Sequence, residues 1–347
     1  MPAKFYYGDA LALAQTFPDN YVTSIVTDPP YGLSFMGREW DHGVPGVLFW
    51  SEFLRISKPG AMLLAFGGTR THHRLMGAIE DAGWELRDCL MWLYGQGMPK
   101  SFNKLWPGYG TALKPAFEPI ILAMKPLDGT FKENAARHGV AGLNIDACRI
   151  PTDENLNGGA YAQEGNRQLS QSLRLGGTGM NAPGKTTGRE FVQPTGRWPA
   201  NVVHDGSPDI PESRFFYCAK TSAEERHAGC DHLLWKMEAE AQTPVSEVEW
   251  RSLSEKQQGK GNVHPTVKPL ALLDWLCKLV CPPERGVLLD PFCGSGSTLL
   301  SGLKTFPNVV GFDNWSVASI VTSARLQAAR GVGFDGSWGE FPFRVWN

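Results

Sequence analysis

Short apolar runs alternate with stretches of helical periodicity in the first third of the chain. Lys4–Gly8 and Tyr21–Thr27 are predicted strands, and they are followed by the acidic residues Asp9 and Asp28. Three further runs have the character of buried strands: Ala61–Phe66, Cys89–Tyr94 and Pro119–Met124. Because strands separated by helical segments are typical of βαβ units, the pattern predicts an α/β fold with a mostly parallel sheet.

The pattern changes between about Pro126 and Arg197, where Gly, Asn, Gln and Thr dominate and the apolar periodicity fades. The basic residues between Gly165 and Arg197 are Arg167, Arg174, Lys185, Arg189 and Arg197, against one acid, Glu190. This segment is either a solvated surface insertion or a stretch that lies along a polyanion. Glu238–Lys260 is charged and polar, which predicts an exposed helix and a linker.

Ordered periodicity returns near the C-terminus. Leu270–Val280 is predicted to form an amphipathic helix and Val287–Leu289 a strand. A Gly-rich turn, a helix starting near Ser297 and a further strand, Asn308–Phe312, complete the pattern.

Composition narrows the class of protein. Charged residues make up 20% of the 347 residues and hydrophobic ones 42%, which suits a globular protein with a sizeable core. The net charge of −2 excludes binding to nucleic acid by bulk positive charge alone. We find no secretory signal and no apolar run long enough to cross a bilayer, so neither a secreted nor a membrane protein is expected.

Cysteine usage favours a reducing compartment, since the seven cysteines show no paired framework. Cys218, His227, Cys230 and His232 cluster along the sequence but lack the close CxxC pairs of zinc ribbons. We therefore expect no metal site.

A Gly-rich loop, Asp290–Thr298 (DPFCGSGST), follows the strand Val287–Leu289 and opens a helix. Gly294 and Gly296 allow a sharp turn and close approach of the backbone to a ligand. A Walker loop would need a Lys before the Ser or Thr, and a dinucleotide loop would need a third glycine where Leu299 stands. Asp313, at the end of the next strand, can accept hydrogen bonds from ribose hydroxyls. The loop thus favours an adenosine-type ligand, and S-adenosylmethionine fits better than a dinucleotide.

A second motif, Asp28-Pro29-Pro30-Tyr31, ends the strand Tyr21–Thr27. The two prolines stiffen the loop and hold Asp28 where open α/β sheets place their ligands. The Asp28 carboxylate and the Pro29 carbonyl can accept the hydrogens of an aromatic amino group, which favours its pyramidal, nucleophilic form. Tyr31 offers a flat surface for an extruded base. Without the Gly-rich loop, the same tetrapeptide would also suit a rigid turn.

At these two motifs the sequence resembles the amino-group DNA methyltransferases, in the permuted subgroup whose catalytic motif precedes the cofactor loop. His264–Pro269 (HPTVKP) is similar to the family segment that contacts the methionine end of the cofactor. Three further segments resemble phage and prophage versions: Ala112–Pro126, Gly196–Gly206 and Phe215–Lys220. The acidic residue after the second strand is usually Glu in the family, whereas this chain has Asp313.

The resemblance implies a Rossmann-like, S-adenosylmethionine-dependent methyltransferase fold, circularly permuted, with an inserted loop-rich target-recognition region. Its sheet would be closed by an antiparallel strand, with the C-terminal strands beside the N-terminal ones. The implied parts are a catalytic half (1–126), a variable target-recognition region and linker (127–260), a cofactor-binding half (261–330) and a C-terminal tail (331–347).

The resemblance also assigns roles to individual residues. The catalytic residues would be Asp28, Pro29, Pro30 and Tyr31. The cofactor-binding residues would be Asp9, Thr266, Lys268, Asp290, Phe292, Gly294, Gly296 and Asp313. Trp40 and Phe35 are candidates for lining the base pocket.

The implied activity is methylation of an exocyclic amino group in double-stranded DNA, with base flipping and without a metal. The Asp at the first motif position favours N6 of adenine over N4 of cytosine. An RNA or protein amino methyltransferase and a non-catalytic DNA- or cofactor-binding module remain alternatives. The expected location is the cytoplasm of a prokaryotic or phage-infected cell, at the DNA. A restriction-modification setting and a homodimer both remain open.

Overall fold

The computed structural model describes residues 3–33, 43–95, 106, 109, 112–153, 156, 194–206, 216–238 and 241–329. No helix within these ranges combines the length and the apolar character needed to span a membrane. The strands are β1 Ala3–Tyr7, β2 Val22–Thr27, β3 Ser57–Phe66, β4 Glu85–Leu93, β5 Phe117–Met124, β6 Val202–His204, β7 Phe216–Tyr217, β8 Leu234–Met237, β9 Gln242–Pro244, β10 Gln258–Lys260, β11 Val287–Asp290 and β12 Asn308–Asp313.

Helices connect most of the strands that follow one another along the chain. They are α1 Ala10–Ala14, α2 Val47–Ile56, α3 His72–Asp81, α4 Phe131–His138, α5 Ala223–His227, α6 Glu247–Ser252, α7 Leu270–Leu279, α8 Ser297–Gly302 and α9 Ser316–Ala329, with a short 3₁₀ turn at Asp146–Cys148.

The larger sheet has the strand order β1-β12-β11-β2-β3-β5-β4-β6-β7. Every described pairing in it is parallel except the two made by β5, which runs against both of its neighbours. Because β1 pairs with β12 and β2 pairs with β11, the N-terminal and C-terminal strands lie side by side in one sheet. The predicted α/β fold, with its antiparallel strand and its permuted order, is confirmed.

Apolar side chains cover both faces of this sheet. One cluster joins the sheet to α7 and α8 and includes Val26, Leu64 and Leu276, all fully buried. The other lies under α1, α2 and α3 and includes Ile25 and Leu63. Adjacent residues of one strand thus serve opposite faces, as expected for a parallel sheet buried on both sides.

Two buried hydroxyls join the N-terminal and C-terminal parts of the chain. Thr23 Oγ1 donates to the Val287 carbonyl and accepts from the Val287 N–H, both at 2.9 Å. Ser24 Oγ donates to the Val280 carbonyl at 2.6 Å. The Thr23 bonds fix β2 against β11, and the Ser24 bond fixes β2 against the end of α7.

The described part of the region 127–260 contains more helix and strand than its composition suggested. Its first helix, α4, begins with a capping box between Thr130 and Glu133 and ends at Gly139, whose φ is 70°. Asn134, fully buried, donates to the Pro59 carbonyl at 2.9 Å and so ties α4 to β3. In the same region, β6 and β7 extend the larger sheet beyond β4.

The predicted exposed helix and linker at Glu238–Lys260 is only partly correct. The helix is α6, but β9 and β10 flank β8 in a small antiparallel sheet. Trp235 of β8 is fully buried with Val321 and Ala324 of α9, and this apolar contact anchors the segment. The polar alternation reflects strands that bury one face only. The basic segment up to residue 193 and the tail 331–347 lie outside the described residues.

Candidate active site

Carboxylates follow or end three adjacent strands of the larger sheet. Asp28 follows β2, Asp290 ends β11 and Asp313 ends β12. Because these strands are parallel neighbours, their carboxyl ends lie at the same edge. The fold therefore brings together two motifs that are more than 250 residues apart in the sequence.

The Gly-rich loop turns sharply between β11 and α8. Gly294 and Gly296 have φ angles of 51° and 76°, in the left-handed region that glycine tolerates best. The Gly294 N–H donates to Asp313 Oδ2 at 2.8 Å, and the Trp315 N–H donates to Asp313 Oδ1 at 2.9 Å. Burial raises the pKa of Asp313 to about 6, although these N–H groups favour its charged form. Asp313 therefore holds the Gly-rich loop in place, and it also lines the cavity beside that loop.

Asp290 connects the loop to β2, the strand that Asp28 follows. Its Oδ1 accepts from Thr27 Oγ1 at 2.7 Å and from the Phe292 N–H at 3.1 Å. Burial raises the pKa of Asp290 to about 7 against the effect of these bonds. Since Thr27 immediately precedes Asp28, this contact couples the positions of the two motifs.

A cavity of about 220 Å³, the first cavity, lies between the loop and Asp28. Eight of the assigned residues line it: Asp28, Pro30, Thr266, Lys268, Asp290, Phe292, Gly294 and Asp313. Of the other assigned cofactor residues, Gly296 packs against Thr322 of α9, and Asp9 lines an adjoining cavity with Phe292 and Asp313. Asp9 also caps α1 by accepting from the Ala12 N–H at 2.9 Å.

His264 forms part of the wall of the first cavity opposite Gly294. Its ring lies 5.2 Å from that of Trp315, and it is nine-tenths buried. Burial, reinforced by the charges of Arg226, Lys268 and Arg325, lowers the pKa of His264 to about 3. The imidazole is thus neutral near pH 7, and a Cβ added at Gly294 would meet its Nε2 at 2.8 Å.

The Asp-Pro-Pro-Tyr loop is held by bonds from within the loop and from other elements. Tyr31 OH donates to Asp28 Oδ1 at 2.7 Å, and the Tyr31 carbonyl accepts from Thr71 Oγ1 at 2.6 Å. Burial raises the pKa of Tyr31 well above its usual value, with the neighbouring carboxylates adding to the rise, so the phenol is neutral.

Lys268 forms an ion pair with the carboxylate assigned to catalysis. Its Nζ donates to Asp28 Oδ2 at 2.6 Å and lies 3.1 Å from Glu118 Oε2. Burial alone would lower the pKa of Lys268, but the charges of Asp28 and Glu118 outweigh it and raise this pKa above its usual value. Burial likewise raises the pKa of Asp28, a rise that the Lys268 ammonium opposes. Lys268, which the resemblance assigns to cofactor binding, therefore binds the Asp28 carboxylate in the structure.

A second cavity, of about 340 Å³, opens on the other side of this ion pair. It shares Asp28, Thr266 and Lys268 with the first cavity. Its remaining lining residues include Pro29, Tyr31, Trp92, Glu118 and Lys220. The arrangement suits transfer between a ligand in one cavity and a planar group in the other, with Asp28 between them.

Several residues of this site were not singled out from the sequence. Glu118 and Lys220 lie in segments quoted for the resemblance, but nothing there distinguishes them from other charged residues. Trp92 is buried and also lines the second cavity. The base-pocket candidates Trp40 and Phe35 lie outside the described residues.

In the described part of the chain, no group of three or more His, Cys, Asp or Glu side chains is placed to hold a metal ion. Cys218 and Cys230, from the cluster noted in the sequence, are buried in two different apolar clusters.

The chain is similar to known proteins over part of its length. Two curated relatives are the type II methyltransferase M.HindIII of Haemophilus influenzae, 30% identical over 130 residues, and the putative methylase YubD of Escherichia coli, 30% identical over 92 residues. These alignments cover 32% and 24% of this chain, and 41% and 40% of the relatives. The chain thus matches about two fifths of the length of either relative.

Solved structures give weaker likenesses. PvuII DNA methyltransferase (cytosine-N4-specific) is 14% identical with a TM-score of 0.49, covering 96% of this chain and 94% of that one. A putative DNA modification methylase from Thermus thermophilus is 16% identical with a TM-score of 0.43, covering 96% and 97%. The fold assigned above rests on the strand order and not on these values.

A family model covers far more of the chain than either curated relative does. The DNA methylase model of the N6/N4 methyltransferases matches residues 22–316, which include both motifs and the strands between them. On this match, the chain belongs to the N6/N4 DNA methylase family.

Proposed function

We propose that this protein is an S-adenosylmethionine-dependent DNA methyltransferase that modifies an exocyclic amino group, N6 of adenine in preference to N4 of cytosine. The observation that carries the proposal is the pair of cavities that meet at Asp28. The family match supports the reaction class.

The first cavity suits S-adenosylmethionine by the chemistry of its donors and acceptors. Asp313 has carboxylate lone pairs for ribose hydroxyls, and Phe292 and Trp315 offer apolar surface for an adenine. Thr266, Asp290 and Gly294 would complete the contacts. When bound, the cofactor supplies a methyl group already activated by its sulfonium, so positioning and electrostatics are sufficient for transfer.

The second cavity suits the target base. The Asp28 carboxylate and the Pro29 carbonyl would accept the two amino hydrogens, which favours a pyramidal nitrogen with a nucleophilic lone pair. The Tyr31 ring lines this cavity and can stack on a planar base. In this proposal the residues of the chain need no metal to carry out their part.

The proposal includes the partners that the reaction requires. A base paired in duplex DNA cannot reach a cavity of this kind, so the target would be flipped out of the stack. We place this activity at DNA in the cytoplasm of a prokaryotic or phage-infected cell, with a homodimer as one candidate assembly.

The preference for adenine depends on Asp28, because a serine at this motif position is commoner among cytosine enzymes.

Labelled S-adenosylmethionine is expected to transfer its methyl group to unmethylated mixed-sequence DNA. Digestion to nucleosides and mass spectrometry should find N6-methyladenine. N4-methylcytosine would keep the mechanism but refute the adenine preference. Label found in RNA or protein instead of DNA, or cofactor binding without any transfer, would refute the proposed function.

The affinity for the cofactor is expected to fall as the pH decreases from 7 to 5. Protonation of Asp313, whose pKa is about 6, would remove its charge and part of its capacity to accept from ribose hydroxyls. Since the ligand would favour the ionised form, the dissociation constant should rise by up to about tenfold per unit below pH 6. His264, with a pKa of about 3, stays neutral over this range.

Isothermal titration calorimetry at several pH values would measure this dependence. Asp313→Asn should bind the cofactor more weakly at pH 7, and its dissociation constant should no longer change around pH 6. Because the pKa of Asp290 is about 7, the Asp290→Asn variant separates the contribution of Asp290 to the pH dependence from that of Asp313. A pH profile unchanged in Asp313→Asn would show that Asp313 does not contact the cofactor.

A further inference from the structure

Glu118 stands at the site edge because β5 runs against its neighbours. The carboxyl ends of the parallel strands and the amino end of β5 lie at the same edge, so the second residue of β5 meets the Asp28 loop. Its register partner on β4 is Trp92, another lining residue of the second cavity.

Both donors that bind Asp28 are also within reach of Glu118. Lys268 Nζ lies 2.6 Å from Asp28 Oδ2 and 3.1 Å from Glu118 Oε2. Tyr31 OH lies 2.7 Å from Asp28 Oδ1 and 3.1 Å from the same Glu118 oxygen. Each donor could therefore exchange one carboxylate for the other with a displacement of a few tenths of an ångström.

This exchange matters because the target amino group needs Asp28. Each carboxylate oxygen of Asp28 already accepts one hydrogen bond, and the bond from Lys268 is charge-assisted and short. An amino group is a neutral donor and competes poorly with an ammonium for the same oxygen. An acceptor that draws the ammonium away would leave Asp28 free for the base.

We propose that Glu118 is a positioning residue: it takes over the Lys268 ammonium and the Tyr31 hydroxyl when the target amino group donates to Asp28. The inference rests on the proposed function, since it presupposes an amino substrate. Glu118 would not contact the reacting atoms and would act through Lys268 and Tyr31.

The other contacts of these side chains agree with this role. Glu118 Oε1 accepts from Tyr94 OH at 3.4 Å, so Oε2 remains turned toward the two donors. The Lys268 ammonium also lies 4.8 Å from the centre of the Phe66 ring. Such a cation–π contact can hold the ammonium near both carboxylates while it changes partner.

Glu118→Gln keeps the size of the side chain but removes its charge. On duplex DNA that the wild type methylates, we expect kcat to fall by about tenfold or more, and the cofactor dissociation constant to change by less than about threefold. Glu118→Asp, which keeps the charge but shortens the reach, should recover part of the loss. Glu85→Gln, a half-exposed glutamate on β4, is the matched control and should behave as the wild type.

A double-mutant cycle that combines Glu118→Gln with Lys268→Met tests whether Glu118 acts through the Lys268 ammonium. If Glu118 acts by drawing away the ammonium, Glu118→Gln should cost much less in the Lys268→Met background, where no ammonium competes for Asp28. An equal loss in both backgrounds, or no loss in the wild-type background, would overturn the proposal. Absence of transfer by the wild type would instead refute the proposed function, so the two failures are distinguishable.

Discussion

Replacing Asp28 with alanine is expected to lower kcat for methyl transfer by about a thousandfold or more. The substitution removes the acceptor for the amino hydrogens and leaves the nitrogen lone pair delocalised into the base. Most of the contacts proposed for the cofactor lie on the Gly-rich loop, and Asp28 contributes only part of the wall of the first cavity. The cofactor dissociation constant should therefore stay within about tenfold of the wild-type value.

The two quantities can be measured separately on the same preparation. Single-turnover transfer to DNA reports the chemical step, and calorimetry reports cofactor binding. Asp28→Asn, which keeps one carbonyl oxygen but loses the charge paired with Lys268, should lie between the wild type and the alanine variant. Asp81→Ala, an exposed aspartate at the end of α3, should retain full activity. Loss of cofactor binding in Asp28→Ala would mean that the residue is misassigned.

Replacing Gly294 with valine is expected to weaken cofactor binding by about a hundredfold or more. With a φ of 51°, the position strains any L side chain, and a β-branched one most of all. The added Cβ would also meet His264 Nε2 at 2.8 Å, so the loop or the imidazole must move. Both line the first cavity, and either displacement changes its shape.

The matched control is Gly77→Val, on α3. A Cβ at Gly77 meets no atom within 4 Å, and its φ is not in the left-handed region, so the variant should bind the cofactor normally. Circular dichroism melts of both variants would check that they fold. Cofactor binding by a folded Gly294→Val at wild-type affinity would refute the loop assignment.

Much of the fold could be predicted from the sequence because its signals are local. The predicted apolar runs, such as Ala61–Phe66, lie within strands of the structure to within a few residues. Both motifs lie at strand ends. Pro29-Pro30 cannot continue β2, and Gly294 and Gly296 adopt the positive φ angles that the turn between β11 and α8 requires. The small sheet β8–β10 was missed, since its short strands bury one face against α9, which is more than 50 residues away.

The sequence by itself determined the fold class, the order of the motifs and the identity of Asp28 and Asp313 as candidate site residues. Only the tertiary structure decided which charges meet. Lys268 reaches Asp28 across 240 positions, and Glu118 joins them because one antiparallel strand brings its amino end to the sheet edge at which Asp28 lies. A pairing between distant side chains depends on strand order and register, which local periodicity does not encode.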